Sequence, residues 1–366
     1  MRREVVRTME GWNELKSDWN DLLARSSSDA LFLTWEWLDT WLAIHGPLSS
    51  LFVICIRGSG GKLVGLAPYY KTNYALLRLF PYTVLRTIGD VDSGAEYQTW
   101  IADRDDEPVI FAEIAAALRE LRSEWDLIWM PKLAAWSPTS GSVVAAMRAN
   151  SLAVNCRPIP FSAISLPNEF DTFLDRMSAN RRQQVRRMAR KVLSRPGVDI
   201  RKVVTADDLP FALDALFRLH TKRWQAVGHG GVFGPAKKER AFYEQFVPKA
   251  LDRGWLAMYV LTDRGEPKAV QIGYVYNLMF LQLQEGFDTD YAPHVGNTLR
   301  AHVIEQCINN GLREYDFLGG FSAHKQHWLA ETRSGMDLLA GPRRAKNLPI
   351  LWGGVWPTGR YLRPVG

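Results

Sequence analysis

Cysteine is scarce in this 366-residue chain: Cys55, Cys156 and Cys307 are the only three, and they lie far apart. Such a set makes neither a disulfide framework nor a zinc-ligand spacing, and Cys55 and Cys307 fall in apolar periodic segments that suit small core residues. An uninterrupted apolar run of about 18 residues, the length that spans a bilayer, is also lacking. The first residues, MRREVVRTMEGWNEL, hold no hydrophobic stretch of signal-peptide type. The expectation is therefore a cytoplasmic protein, at most peripheral to the inner membrane. His294 and His302 have no third ligand at a workable spacing, so no metal is expected. No Ser-His-Asp or Cys-His pattern stands out either.

Hydrophobic residues make up 47% and charged residues 23% of the chain, a globular balance with enough length for two cores. The net charge of +6 and a pI near 9.2 are modest, and an acidic cofactor or an anionic surface accounts for them as well as nucleic acid does. The 14 tryptophans are many. Indole rings suit a groove for a chain or ring substrate, but burial in two cores is the simpler account.

Periodicity and turn signals give two similar halves. In the first, the strand EVVRTM and the helix WNELKSDWNDLLARS precede a second helix, FLTWEWLDTWLAIHG. Its Trp37, Leu38, Trp41 and Leu42 recur at helical spacing, and Gly46–Pro47 stops it. A hairpin follows (LFVICIR, GSGGK, LVGLAPYYK), then the short strand LRTIG. A helix with Pro108 in its first turn and the buried strand WDLIWM complete the half. The second half repeats this order: the strand VDIRKVV, two helices, the hairpin WLAMYVLT–DRGEPK–AVQIGYVYN, the strand LMFLQLQEGF, the helix NTLRAHVIEQCINN and the strand REYDFLG. GGKLVGLAPYY pairs with EPKAVQIGYVY, and ALRELRSEWDLIWM with CINNGLREYDFL. The expected layout is a first domain over 1–165, a second over 166–340 and a tail over 341–366 that packs on a domain. A basic linking helix, 178–194, lies inside the second domain. The alternative is one large mixed α/β domain.

Two segments carry charge logic. Before the helix of the second half, the residues PHVGNT bring Gly296 to a strand-to-helix entry, where bare backbone N–H groups suit a phosphate. His294, Val295, Gly296, Asn297 and Thr298 form that entry, and Arg300 adds charge. An ordinary capped helix is the plain alternative. The second segment, ANRRQQVRRMARK, holds Arg181, Arg182, Arg186, Arg187, Arg190 and Lys191 with no acid among them, while Val185, Met188, Ala189 and Val192 share one helical face. Such an amphipathic helix either binds phosphates, tRNA or anionic lipid through faces such as Arg182 and Arg186, or is a solvated linker.

These pieces together resemble the CelD-type (cellulose-biosynthesis-like) acetyltransferase family of the GNAT superfamily. The residues that carry the resemblance are FLTWEWLDTWLAIHG, KLVGLAPYY, IGDVDSGAEY, ANRRQQVRR, KAVQIGYVY, EGFDTDYAPHVGNTLRAHVIEQCINNGLREYDFLGG and HKQHW, spread over about 30–330. The resemblance implies a mixed-sheet α/β fold of tandem duplicated GNAT-like domains. That layout is shared with FemAB-like transferases, which move aminoacyl groups from tRNA to peptidoglycan precursors. It implies an N-acyltransferase with an acyl-CoA donor, linked to envelope or exopolysaccharide synthesis. One departure stands out. An acidic loop of the type Arg-Gly-Asp-Glu is expected after the last strand, whereas this chain has Gly319-Gly320-Phe321-Ser322-Ala323-His324-Lys325 and keeps only Lys325 and Trp328.

Acyl transfer to an amine needs a proton acceptor, donors for the oxyanion and accurate positioning. Glu285, at the end of LMFLQLQ, is the first choice for the base, against a solvated strand-end carboxylate. Asp316 is a base, an acceptor-orienting group or one half of a structural ion pair. Tyr276 protonates the leaving thiolate, lines the acyl pocket or packs in the core, and His327 is an alternative base. Arg223, Trp224, Lys325 and Trp328 are acceptor-binding candidates. In the first half, Asp92, Glu96 and Tyr97 of GDVDSGAEY would face the acceptor. That half lacks a PHVGNT-like entry and would serve as the acceptor's wall. Two rival readings remain: an aminoacyl-tRNA-dependent transferase, and a non-catalytic polysaccharide-biosynthesis factor in which Glu285, Asp316 and His327 do not converge.

Overall fold

A computed structural model describes residues 1–46, 50–234, 237–358 and 361–365; Pro47, the expected helix stop, lies outside them. The elements are β1 (Arg2–Val6), α1 (Met9–Glu14), α2 (Lys16–Arg25), α3 (Trp35–His45), β2 (Leu51–Arg57), β3 (Leu63–Leu76), β4 (Phe80–Thr87), β5 (Ile101–Ala102), α4 (Glu107–Glu120), β6 (Leu127–Leu133), α5 (Pro138–Ala149) and β7 (Leu152–Ser165). They continue as α6 (Phe170–Asp175), α7 (Ala179–Leu193), β8 (Val198–Lys202), α8 (Leu209–Gln225), α9 (Lys238–Asp252), β9 (Leu256–Asp263), β10 (Glu266–Tyr276), β11 (Met279–Phe287), α10 (Val295–Asn309), β12 (Glu314–Gly319), α11 (Ala323–Gln326), β13 (Glu331–Pro342), α12 (Leu348–Gly353) and β14 (Leu362–Pro364).

The chain divides into two compact units, residues 1–160 with 334–366, and residues 161–333. The division falls at Pro160/Phe161 rather than at 165/166, and the chain returns to the first unit at Ser334 rather than leaving the second at 340. The cause is β13: its residues Met336–Ala340 pair with β6 and complete the sheet of the first unit.

Within the first unit the strand order is β1-β2-β3-β4-β6-β13, antiparallel throughout except for the parallel pair β4–β6. Within the second it is β8-β9-β10-β11-β12 and then residues 161–165 of β7, again antiparallel except for β11–β12. A parallel pair cannot be closed by a tight turn and requires a crossover, which α4 supplies in one unit and α10 in the other. The duplicated plan is therefore a matter of strand order and direction as well as of sequence. Each antiparallel join has its turn chemistry: Arg264–Gly265 and Asn277–Leu278 all have positive φ, as two-residue hairpin loops require.

The core of the first unit packs Phe52, Ile54, Trp100, Ile110, Phe111, Ile128 and Met130. That of the second packs Phe173, Val185, Phe280, Leu299, Val303, Tyr315 and Trp328. Tryptophan serves mainly as core: Trp12 stacks on Trp35 at 4.4 Å, and Trp37, Trp100, Trp125, Trp129 and Trp328 are fully buried. Cys55 and Cys307 are buried free thiols. No helix among the described residues is long and apolar enough to cross a membrane.

Candidate functional site

The site builds up from the parallel pair of the second unit. β11 and β12 pair at Met279–Glu314, Phe280–Tyr315 and Leu281–Asp316; beyond Leu281 no further pairs form, although β11 runs on to Phe287. Two strands that stop pairing open a gap between them, and the crossover α10 begins at its end. The helix entry is made by His294, whose φ of 69° places it in the left-handed region, rather than by Gly296. Gly296 is glycine for a packing reason: a Cβ there would sit 2.7 Å from the Phe287 ring. The Thr298 amide donates to the His294 carbonyl at 2.9 Å, and among the described residues the amides of Gly296 and Asn297 meet no acceptor. Val295 and Thr298 are buried, so the exposed part of the entry is Pro293, His294 and the two open amides.

α7 lies beside this entry. A cavity of about 340 Å³ is lined by Gln184, Arg187, Lys191 and Arg195 on one side and by Ala292, Pro293 and His294 on the other. α7 forms here because Ser178 caps its first turn by accepting from the Arg181 amide, and because Val185, Met188 and Val192 bury one face. Burial of that stripe turns the cations to the flanks and the outside. Arg182 and Arg186 are spent in exposed ion pairs with Asp175 and Asp171, each at 2.8 Å. Arg187 and Lys191 have no ion pair among the described residues and face the cavity. Cations opposite a helix N-terminus make an anion seat.

Arg300 does not contribute to that seat. It is 2% exposed and turns inward, where it pairs with Glu285 and donates from Nη1 to His324 Nε2 at 2.7 Å. Arg223 of α8 donates to the other oxygen of Glu285 at 2.9 Å. Burial alone would raise Glu285, but Arg300 and Arg223 outweigh it and hold the carboxylate below its ordinary range. A carboxylate clamped by two guanidiniums is a weak base, so Glu285 organises the arginines. Burial and the Arg300 charge push His324 down to about 4, so it is a neutral imidazole that accepts from Arg300. The same Nε2 lies 3.3 Å from Asn297 Oδ1, so the start of α11 sits against the first turn of α10.

Several expected site residues serve the fold. Tyr276 packs on Trp255 at the hairpin end of β10, opposite Met279, about 20 Å along β11 from Glu285. Asp316 is fully buried; it accepts from the Leu318 amide at 2.7 Å and from Arg333 at 2.5 Å, which fixes Leu318 at a φ of 60°. Lys325 donates to the carbonyls of Phe317, Gly319 and Gly320 at 2.7–3.0 Å, so its charge ties down the loop after β12. Trp328 is fully buried, with Arg181 5.4 Å and Arg300 5.9 Å from its ring centre. Trp224 is half-buried beside His220 and His229. Asp92, Glu96 and Tyr97 belong to the first unit. There Asp92 meets His45 at 3.3 Å, Glu96 meets Lys132 at 3.0 Å, and the Tyr97 ring lies 5.3 Å from that of Trp136.

His327 is exposed and lines a second cavity of the second unit, about 650 Å³, with Asn180, Arg181, Gln184, Arg187 and Gln326. Arg187 and Gln184 line both cavities. Glu285, Arg300 and Arg223 thus come together with His324. His327 opens instead onto this second cavity, and Tyr276 lies at the far end of its hairpin. Sequence reasoning missed His324, Arg195 and the cavity-facing role of Arg187 and Lys191. For α7 the signal was present: a 3.6-residue wheel anchored on Val185, Met188 and Val192 separates the flanks. Among the described residues no group of three or more His, Cys, Asp or Glu could hold a metal ion.

The comparisons with known proteins agree with this architecture. Residues 179–326, all in the second unit, match the family model of the GNAT acetyltransferase domain. A solved structure of FemX superposes with a TM-score of 0.63 at 11% identity, covering 96% of this chain and 100% of that one. The C-terminal domain of a putative lysylphosphatidylglycerol synthetase from Agrobacterium fabrum follows with a TM-score of 0.54 at 10% identity, over 94% and 96% of the two chains. L-PGS from Bacillus licheniformis gives 0.51 at 13% identity, over 86% and 93%. At such identities the likeness is one of fold. Among the curated proteins, none matches this chain. The chain has a doubled GNAT-like fold similar to that of FemX, and residues 179–326 of its second unit match the GNAT acetyltransferase domain model.

Proposed function

We propose that the second unit transfers an acyl or aminoacyl group to an amine, as a CelD-type N-acyltransferase of envelope or exopolysaccharide synthesis. The observation that carries this reading is the cationic cavity at the entrance of α10, where Arg187, Lys191 and Arg195 face a helix start with two open amides. A donor whose reactive group hangs from phosphates is held there by its phosphates, and acyl-CoA is the first choice. The amine nitrogen attacks the acyl carbon, the carbon–sulfur bond breaks, the nitrogen gives its proton to His327, and the thiolate leaves protonated from solvent. Glu285 keeps Arg300 and Arg223 in place, so its contribution is positional.

A second donor, aminoacyl-tRNA, is favoured by one specific feature. The cations of α7 run beyond the cavity: Arg190 continues the face and, with Arg187, Lys191 and the aspartate-paired Arg182 and Arg186, lines a further groove of about 680 Å³. That row is longer than a pyrophosphate. In this case the carbon–oxygen ester bond to the ribose breaks in place of the thioester. An anionic membrane surface would bind the same outer face.

The test is equilibrium titration of the full chain with acetyl-CoA, a long-chain acyl-CoA and aminoacylated tRNA. The double variant Arg187→Glu/Lys191→Glu is expected to weaken the true donor by about 100-fold, since it turns two attractive charges into repulsive ones. Undiminished binding by that variant removes the phosphate seat. Binding of tRNA with no binding of either CoA thioester selects the second donor.

A further inference from the structure

Three N–H groups around the Trp328 ring meet no acceptor among the described residues: Nε of Arg300, Nε of Arg181 and Nε1 of Trp328 itself. Trp328 is fully buried and Arg300 nearly so. Both guanidiniums lie within 6 Å of the indole centre, 5.4 Å for Arg181 and 5.9 Å for Arg300. A buried donor without a partner costs free energy, and three such donors at one ring leave it with unmatched positive charge. The charge count agrees. Arg300 and Arg223 share the single carboxylate of Glu285, and Arg181 makes only a neutral hydrogen bond, to Gln184 at 2.8 Å. Burial and the neighbouring Arg300 charge both press Arg181 downward, the opposite of the paired Arg300.

Arg181 is reachable from outside because it lines the 650 Å³ cavity, as do His327 and Leu329 on either side of Trp328. The other polar walls are Ser178, Asn180, Gln183, Gln184, Gln326 and a second guanidinium, Arg187, and no aspartate or glutamate is among the described lining residues. Carboxamides with two guanidiniums, and no carboxylate, suit a small polar anion. A planar guanidinium matches the two oxygens of a carboxylate, whereas the compact ammonium charge of Lys191, the phosphate-type partner, lies in the neighbouring cavity.

We propose that this cavity seats the carboxylate of an acceptor of the amino-acid class, with Arg181 as its main ligand and the buried charge of Arg300 beyond the Trp328 ring. The same molecule then carries the amine toward His327. Its role as acceptor rests on the transferase reading above; the binding itself does not.

The full chain is titrated calorimetrically with glycine and L-glutamate, with their methyl esters, and with phosphoethanolamine and glucosamine. Free carboxylates are expected to bind, the esters at least about tenfold more weakly, and Arg181→Gln to lose about tenfold, the scale of a charge-assisted hydrogen bond. Arg181→Lys keeps the charge without the fork and should recover only part; a thermal melt of each variant confirms that it is folded. Equal binding of acid and ester, preference for phosphoethanolamine, or no carboxylate binding by the unsubstituted protein overturns the assignment. Carboxylate binding without any transfer leaves the assignment standing and removes the transferase reading. Transfer to glucosamine that ignores Arg181→Gln removes the assignment alone.

Discussion

The two units have one strand order and opposite electrostatics at the same place. In the first, the crossover helix α4 opens on Asp103, Asp105, Asp106 and Glu107, and the Asp106 carbonyl accepts the amides of Val109 and Ile110. In the second, α10 has no acid in its first turn, leaves two amides open and faces the cations of α7. A helix start with acids in and just before its first turn repels an anion, and one without them beside arginines attracts it. Topology alone therefore does not confer a donor site. The difference lies in a handful of charges around one turn of helix.

Other features are held in common. Asp90 and Glu285 each lie four residues beyond the last paired residue of their parallel ladders, Arg86 and Leu281. Both carboxylates are buried against arginine, Asp90 with Arg86 at 2.7 Å. Each central parallel strand also carries a left-handed residue, Lys132 in β6 (φ 58°) and Leu318 in β12 (φ 60°). The Lys132 amide is held by Asp337 at 2.9 Å and that of Leu318 by Asp316 at 2.7 Å, and each aspartate is paired with an arginine, Arg157 or Arg333. Asp316 is thus one copy of a repeated structural device.

The largest effect should come from the buried ion pairs. Glu285→Gln strands Arg300 in the core and should cost about 3–5 kcal/mol of stability, with Asp90→Asn costing a similar amount in the first unit, as read from urea unfolding. A folded Glu285→Gln of ordinary stability that has lost turnover would restore Glu285 as the base. Next, Asp316→Asn and Asp337→Asn should each cost about 2–3 kcal/mol, the scale of an unpaired buried charged group, and leave donor affinity unchanged. Donor affinity lost only in Asp316→Asn would break the equivalence of the two devices.

A smaller effect concerns pH. His220 and His324, both in the second unit, are pushed down to about 4, chiefly by burial, against about 6.5 when unfolded. Between those values the unfolded chain binds protons that the folded chain does not. The stability they contribute is therefore complete above pH 6.5 and is lost progressively as pH falls toward 4. His220→Gln should flatten that part of the profile of unfolding midpoint against pH; an unchanged slope would mean that His220 is already protonated in the fold.

The doubled plan is legible in the sequence because turns such as GSGGK and DRGEPK punctuate strands of clear period. β13 is not, since ETRSGMDLLAGP mixes charge and glycine and finds its partner β6 only through the fold. The basic flank of α7 and the loop before α10 can be found by local spacing. The pairing of Glu285 with Arg223, 62 residues away, and of Arg300 with His324, 24 away, cannot, because no local period links such distant positions. For that reason Lys325 and Asp316 stand out as site residues in the sequence although they brace the backbone.

The central claim, that the second unit's helix entrance and not the first's holds the donor's phosphates, is tested most directly by amide NMR of the full chain titrated with coenzyme A and, separately, with tRNA. The shifts of Gly296 and Asn297 should move with one of these ligands while those of Glu107 and Val109 stay still. Movement at the first unit's helix entrance, or none at Gly296 and Asn297 under saturating ligand, would contradict the account.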